Sequence, residues 1–159
     1  MTTPPIELDR TDRRLLRAIQ KNCTVGAEAL GEQCGASPST VLRRLKRLRD
    51  LGVVTAEVAV VDPKKVGRPL MMIVGVRLQG ENAKAASDFM QTMRAHPAVM
   101  QCYFVTGEAD YIVHLSVADM EEFNAFVQDH LIANPHVQMT ATNVVISPLK
   151  VGLAVPIAD

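Results

Sequence analysis

The sequence predicts an α+β protein of two parts: a small helical unit, then a domain ordered strand-helix-strand-strand-helix-strand. Three observations carry this. Apolar residues recur at helical spacing up to about residue 51, whereas beyond residue 70 strand-length runs alternate with amphipathic helices. Residues 62–69, with two prolines and Gly67, form a linker between the two patterns. Charge is segregated at the same boundary. Residues 1–69 carry thirteen Lys and Arg against eight Asp and Glu, and residues 70–159 carry four against nine, so a formal net charge of zero conceals a basic and an acidic half. Such a division is expected when one part meets a polyanion and the other does not.

In residues 8–19, Leu8, Leu15, Leu16, Ala18 and Ile19 fall at helical spacing, with Asp9 or Thr11 as the N-cap. A second helix of two turns fits residues 27–34, where Ala27, Leu30 and Cys34 share a face and Gly35 stops it. Ser37 followed by Pro38 is a cap before a proline at the first helical position, and the helix it starts runs to about Leu51 before Gly52. The β-branched residues 53–61 read as a strand, either a wing or a connector. After the linker, residues 70–78 form a buried strand and Asn82 caps a helix to Ala95 that buries Ala86, Phe89, Met90 and Met93 and ends before Pro97. Residues 99–106 and 111–117 are strands joined by a hairpin turn, residues 120–132 a helix burying Phe123, Phe126, Val127 and Leu131, and residues 137–147 the last strand.

That order is the split βαβ, ferredoxin-like arrangement, with two helices on one face of a four-stranded antiparallel sheet. The strands are apolar on both sides, so the free face is expected to meet a second copy of the chain, making at least a homodimer. The expected domains are residues 1–61, the linker 62–69, and residues 70–159, with residues 149–159 a packed tail.

The third helix carries the strongest functional signal. Val41, Leu45 and Leu48 project on one arc, and the opposite arc holds Ser39, Thr40, Arg43, Arg44 and Arg47, flanked by Lys46 and Arg49. Asp50 is the one carboxylate in this helix, so pairing along the helix cannot neutralise the stripe. In a helix-turn-helix, the second helix of the motif enters the DNA major groove, where Arg pairs bidentately with guanine and Ser or Thr contacts bases or phosphates. The alternative is an ordinary solvated face. Ser37, Ser39, Thr40, Arg43, Arg44, Lys46 and Arg47 are the candidate DNA contacts.

Other chemistries find little support. Three cysteines at wide spacing suit buried thiols in a reducing compartment. Residues 2–5 lack a leader pattern and no apolar run reaches membrane-spanning length, so a cytoplasmic protein without a membrane partner is expected. His96, His114, His130 and His136 have no metal-ligand spacing on a shared helix face, and no metal is expected. A small enzyme on this fold would need a catalytic constellation, but the clustered carboxylates are only Glu108 with Asp110 and Glu121 with Glu122. No catalytic residue and no cofactor is expected. An RNA-binding module would need exposed aromatics, for which Tyr103 and Phe104 are the sole candidates.

The string LDRTDRRLL at residues 8–16, SPSTVLRRLKRL at 37–48 followed by LGVV, and TGEADY at 106–111 together resemble the Lrp/AsnC (feast/famine, leucine-responsive regulator) family of transcription factors. The resemblance spans nearly the whole chain. It implies a winged helix-turn-helix, a ferredoxin-like regulatory domain, dimers built through the sheets and often octamers of four dimers. It also implies a small-molecule effector, usually an amino acid, held between regulatory domains. By position it nominates Thr106, Gly107, Glu108, Ala109, Asp110 and Tyr111, with Met100, Cys102, Thr140 and Thr142 on neighbouring strands. Read on its own, the hairpin allows two accounts. Glu108 and Asp110 can accept from an α-ammonium group while N–H groups beside Gly107 receive an α-carboxylate; equally, the segment fits a plain turn. An architectural DNA-binding protein needing no effector is the alternative within the same fold.

Overall fold

The computed structural model describes residues 6–80 and 82–158; residues 2–5, read above for a leader pattern, lie outside the described residues. The chain forms two compact units, residues 1–59 with 150–159, and residues 60–149.

The first unit is a helix-turn-helix. Helix α1 (Arg10–Ile19) begins at Asp9, whose carboxylate accepts from the Asp12 amide while the Asp12 carboxylate accepts from that of Asp9. This reciprocal cap satisfies two amides that the helix itself leaves open. Helix α2 (Ala27–Cys34) ends on left-handed Gly35, and α3 (Pro38–Asp50) is capped by Ser37, which accepts from the Thr40 amide. Leu15, Leu30, Cys34, Val41 and Leu45 close a shared core. The turn between α2 and α3 is tight: a Cβ on Gly31 would stand 2.5 Å from the Ala36 carbonyl oxygen, a separation only glycine avoids.

Two expectations for this part are corrected. Residues 53–61 form no strand, and Val58, Val60 and Val61 are exposed. A β-branched run becomes a strand only with a ladder partner, and none of the described strands pairs with this one. Among the described residues no strand follows the helix-turn-helix within its own unit. The tail, expected with the second domain, packs with the first unit. The Gln20 amide donates to the Val155 carbonyl at 3.2 Å and accepts from the Val155 N–H at 2.7 Å, while Arg17 donates twice to the Ile157 carbonyl.

The second unit runs β1 (Leu70–Leu78), α4 (Ala83–Ala95), β2 (Val99–Phe104), β3 (Tyr111–Val117), α5 (Met120–Phe126, continued by a π turn, Val127–Ile132) and β4 (Val137–Val144). The strands lie in the order β2-β3-β1-β4, every pair antiparallel, as the ferredoxin-like reading requires. Strands β2 and β4 stop two and three residues short of their expected ends. Met72, Val74, Val76, Val113, Leu115 and Val117 face Phe89, Met93, Phe123, Phe126 and Leu131 of the helices. The other face carries half-buried Ile73, Gly75 and Ile112 beside exposed Tyr103 and Met139. Edge strand β4 is exposed from residue 138 onward on both faces. Arg68 anchors the end of the linker, donating to the Ser116 carbonyl at 2.9 Å and pairing with Glu122.

Candidate nucleic-acid interface and effector site

Helix α3 buries Val41, Leu45 and Leu48, as its pattern predicts, and exposes Ser37, Ser39, Arg43, Lys46 and Arg47. The expectation of an unquenched row of cations is corrected. Arg44 donates to Asp9 at 2.6 Å and to Asp12 at 2.9 Å, and Arg47 donates to Asp12 at 2.6 Å. Asp12 is fully buried, so this acid forms part of the packing of α1 on α3. Lys46 pairs with Asp50 and Arg49 with Glu57. The quenching acids of the arginine pair lie 32 and 35 residues away in sequence, beyond the reach of any reading confined to α3.

These pairs sort the candidate contacts. Arg44 keeps only 22% of its side-chain surface in solvent, and its two ion pairs, with Asp9 and Asp12, hold it against α1. Its proton is held more tightly than usual by the carboxylates of Asp9 and then Asp12. The Asp12 amide, and after it Arg44, hold the Asp9 carboxyl below its ordinary range. Arg47 keeps 44% of its side-chain surface in solvent. Arg43 is exposed and carries no ion pair among the described residues. The hydroxyl of Ser37 lies 3.1 Å from that of Ser39 and 2.8 Å from that of Thr40, so the helix start is a linked polar cluster. An open groove of about 770 Å³ lies beside these groups, lined by Asp9, Arg13, Arg43, Arg44 and Arg47 among others.

The nominated effector residues divide. Asp110 is committed to the sheet: its carboxylate accepts from the Leu78 amide at 2.8 Å and its own N–H donates to the Val76 carbonyl at 2.9 Å. That pairing lies just past the end of the β1–β3 ladder at Val76 and Tyr111, where the Leu78 amide would otherwise lack a partner. Asp110 is thus a brace for β1 rather than a free acceptor for an ammonium group. Tyr111 is buried against Phe89 and Phe104, with ring centroids 4.9 and 5.3 Å away, and burial pushes its phenol up. Thr106, Gly107 and Glu108 are exposed at the turn, and Gly107 takes φ 125°, which favours glycine.

Register places the rest. Thr140 and Thr142 lie opposite Val76 and Val74, hence on the helix-covered face, although both are exposed. Ala109 instead comes over Gly75 on the other face, 3.4 Å from where a Cβ would stand. Cys102 pairs with Val113 on the helix face, and Met100 is exposed in the bulge at the far end of β2. One chain therefore does not bring all ten residues to a common point.

Remaining groups are quiet. Cys34 is buried and Cys102 half-buried, both thiols pushed up by desolvation, whereas Cys23, expected to be buried, is exposed. Among the described residues no cluster of three His, Cys, Asp or Glu could hold a metal ion, and no helix is long and apolar enough to cross a membrane.

Comparison with known proteins agrees across both units. Residues 8–49 match the AsnC-type helix-turn-helix domain and residues 71–155 the Lrp/AsnC ligand binding domain. The HTH-type transcriptional regulator y4tD of Sinorhizobium fredii is 44% identical over 152 residues, covering 96% of this chain and 90% of its own. Transcriptional regulator AzlB of Bacillus subtilis is 32% identical over 154 residues, covering 97% and 98%. A transcriptional regulator of Neisseria meningitidis, solved as a complex with L-Met, superposes with a TM-score of 0.89 at 33% identity, covering 94% of this chain and 97% of that one.

Proposed function

The chain belongs to the Lrp/AsnC family of transcriptional regulators, and from that premise we propose that it reads duplex DNA through α3 as a homodimer and answers to an amino acid. The observation that carries the DNA contact is Arg43: an exposed guanidinium without an ion pair among the described residues, one turn after Ser39 on the second helix of the motif. A dimer places two such helices in successive major grooves of a pseudo-palindromic site. Ser39, Arg43, Lys46 and the open side of Arg47 meet the DNA, while Arg44 holds α3 to α1.

The amino-acid effector is supported by the ligand-binding domain match and by the neighbour bound to L-Met. Its site uses the exposed turn at Thr106, Gly107 and Glu108. Because the nominated residues fall on two faces of one sheet, a second regulatory domain completes the site. The partly apolar free face around Ile73, Ile112 and Met139 supplies the dimer contact, and exposed β4 leaves surface for assembly into octamers. Binding then shifts the balance between assembly states by its differential affinity for them.

A thermal-shift screen of the twenty amino acids tests the effector. A ligand at a hundred times its Kd stabilises by about 2.7 kcal/mol, a readily visible rise in the melting midpoint. Silence across the screen would exclude the amino-acid reading and leave a regulator that acts without one.

A further inference from the structure

Ser39, Leu42, Arg43 and Lys46 are three and four residues apart on α3, so their side chains stand one above another, opposite Val41, Leu45 and Leu48. In the middle of this row Leu42 is 60% exposed and belongs to neither hydrophobic core. The other leucines inside α1, α2 and α3, namely Leu15, Leu16, Leu30, Leu45 and Leu48, are all buried. Helix propensity gives no reason for the exception, since Arg, Lys and Gln would serve as well there.

The surroundings of Leu42 identify what covers it. Arg43 is adjacent and without an ion pair among the described residues, Lys46, exposed and paired with Asp50, follows one turn on, and the N-terminal end of α3 carries a cluster of hydroxyls beside the positive end of the helix dipole. That combination fits a polyanion, and within a duplex major groove the apolar feature facing such a helix is the 5-methyl group of thymine. We propose that Leu42 is a specificity-determining residue that packs on a thymine methyl beside the contact made by Arg43. The inference rests on the DNA-reading function and adds a base preference to it.

The test uses the full chain. A duplex is selected from a random library with the unmodified protein, each thymine is replaced in turn by deoxyuridine, and affinities are measured at one salt concentration for the unmodified protein and for Leu42→Ala. Because Leu42 is exposed, the variant retains its melting midpoint. Losing one methyl contact weakens binding about fourfold, so the inference expects that loss at one thymine per half-site for the unmodified protein. Leu42→Ala should bind the thymine and deoxyuridine duplexes alike. Equal effects in both proteins, or no effect at any thymine, would overturn the role of Leu42 while leaving DNA reading intact. Failure to enrich any sequence would overturn sequence-specific reading itself, and the inference with it.

Discussion

The buried carboxylate of Asp12 on α1 holds the guanidinium of Arg47 on α3 at 2.6 Å. Its second oxygen holds Arg44 at 2.9 Å, so one acid sets the position of two cations that a reading of α3 alone would send to DNA. The charge of the helix serves packing at one flank and, in the function proposed above, recognition at the other. Arg43 and Leu42 lie on the exposed side, away from Asp12.

Asp12→Ala should destabilise the helical unit. Breaking a buried ion pair costs about 3–5 kcal/mol when the remaining charge stays buried; since Arg47 reaches solvent, about 2–3 kcal/mol is expected here. Urea denaturation followed by far-UV circular dichroism measures it, and a midpoint equal to that of the unmodified chain would remove Asp12 from the packing.

Gly31→Ala should cost about 1–3 kcal/mol, because the new methyl meets the Ala36 carbonyl and the α2–α3 turn must open. The melting midpoint falls, and DNA affinity falls with it as α3 shifts. The same substitution at Gly26, which has nothing within 4 Å of the added Cβ, should do far less.

Asp110→Ala should lower the melting midpoint in the absence of any ligand, by about 1 kcal/mol, because the half-buried Leu78 amide loses its acceptor. Glu108→Ala, at the exposed turn, should leave that midpoint unchanged and instead reduce the shift produced by an effector. Reversed behaviour of the two variants would return Asp110 to the effector site.

Acid should destabilise the protein in two windows. Burial lowers the His96 pKa from its ordinary 6.5, with His130 adding to the effect, and the ring Nδ1 accepts from the Ala98 amide at 3.2 Å. The unfolded chain therefore takes up the proton first, and stability declines as pH falls below 6.5 toward the lower folded value. Asp9 and Glu122 follow. Their folded pKa values are depressed, by the amides of Asp12 and Ala118 and then by Arg44 and Arg68, so their contribution is full above about 4.5 and is lost as pH falls through the depressed values. Melting midpoints from pH 7.5 down to 3 measure both, and His96→Gln should remove the upper window alone.

Much of this architecture was legible because its signals are local. Ser37 before Pro38, Asn82 before the α4 stripe, and Gly35 and Gly52 after their helices act through neighbouring backbone groups, and each stands where the pattern put it. The misreadings share the opposite character. Residues 53–61 have strand composition, but a strand is a relation between two segments, and among the described residues no strand pairs with this one. The pairing of Arg44 and Arg47 with Asp12 and the docking of Val155 on Gln20 join residues far apart in sequence, where no spacing rule reaches. Asp110 stands out within the hairpin, but the backbone group it serves lies on a strand 32 residues earlier.

The most direct test of α3 as the reading helix is the affinity of Arg43→Ala for a selected operator and for random duplex, both at one salt concentration. The account predicts a loss of about 1–3 kcal/mol on the operator, a smaller loss on random DNA, and an unchanged melting midpoint. Unaltered affinity for both duplexes would contradict it.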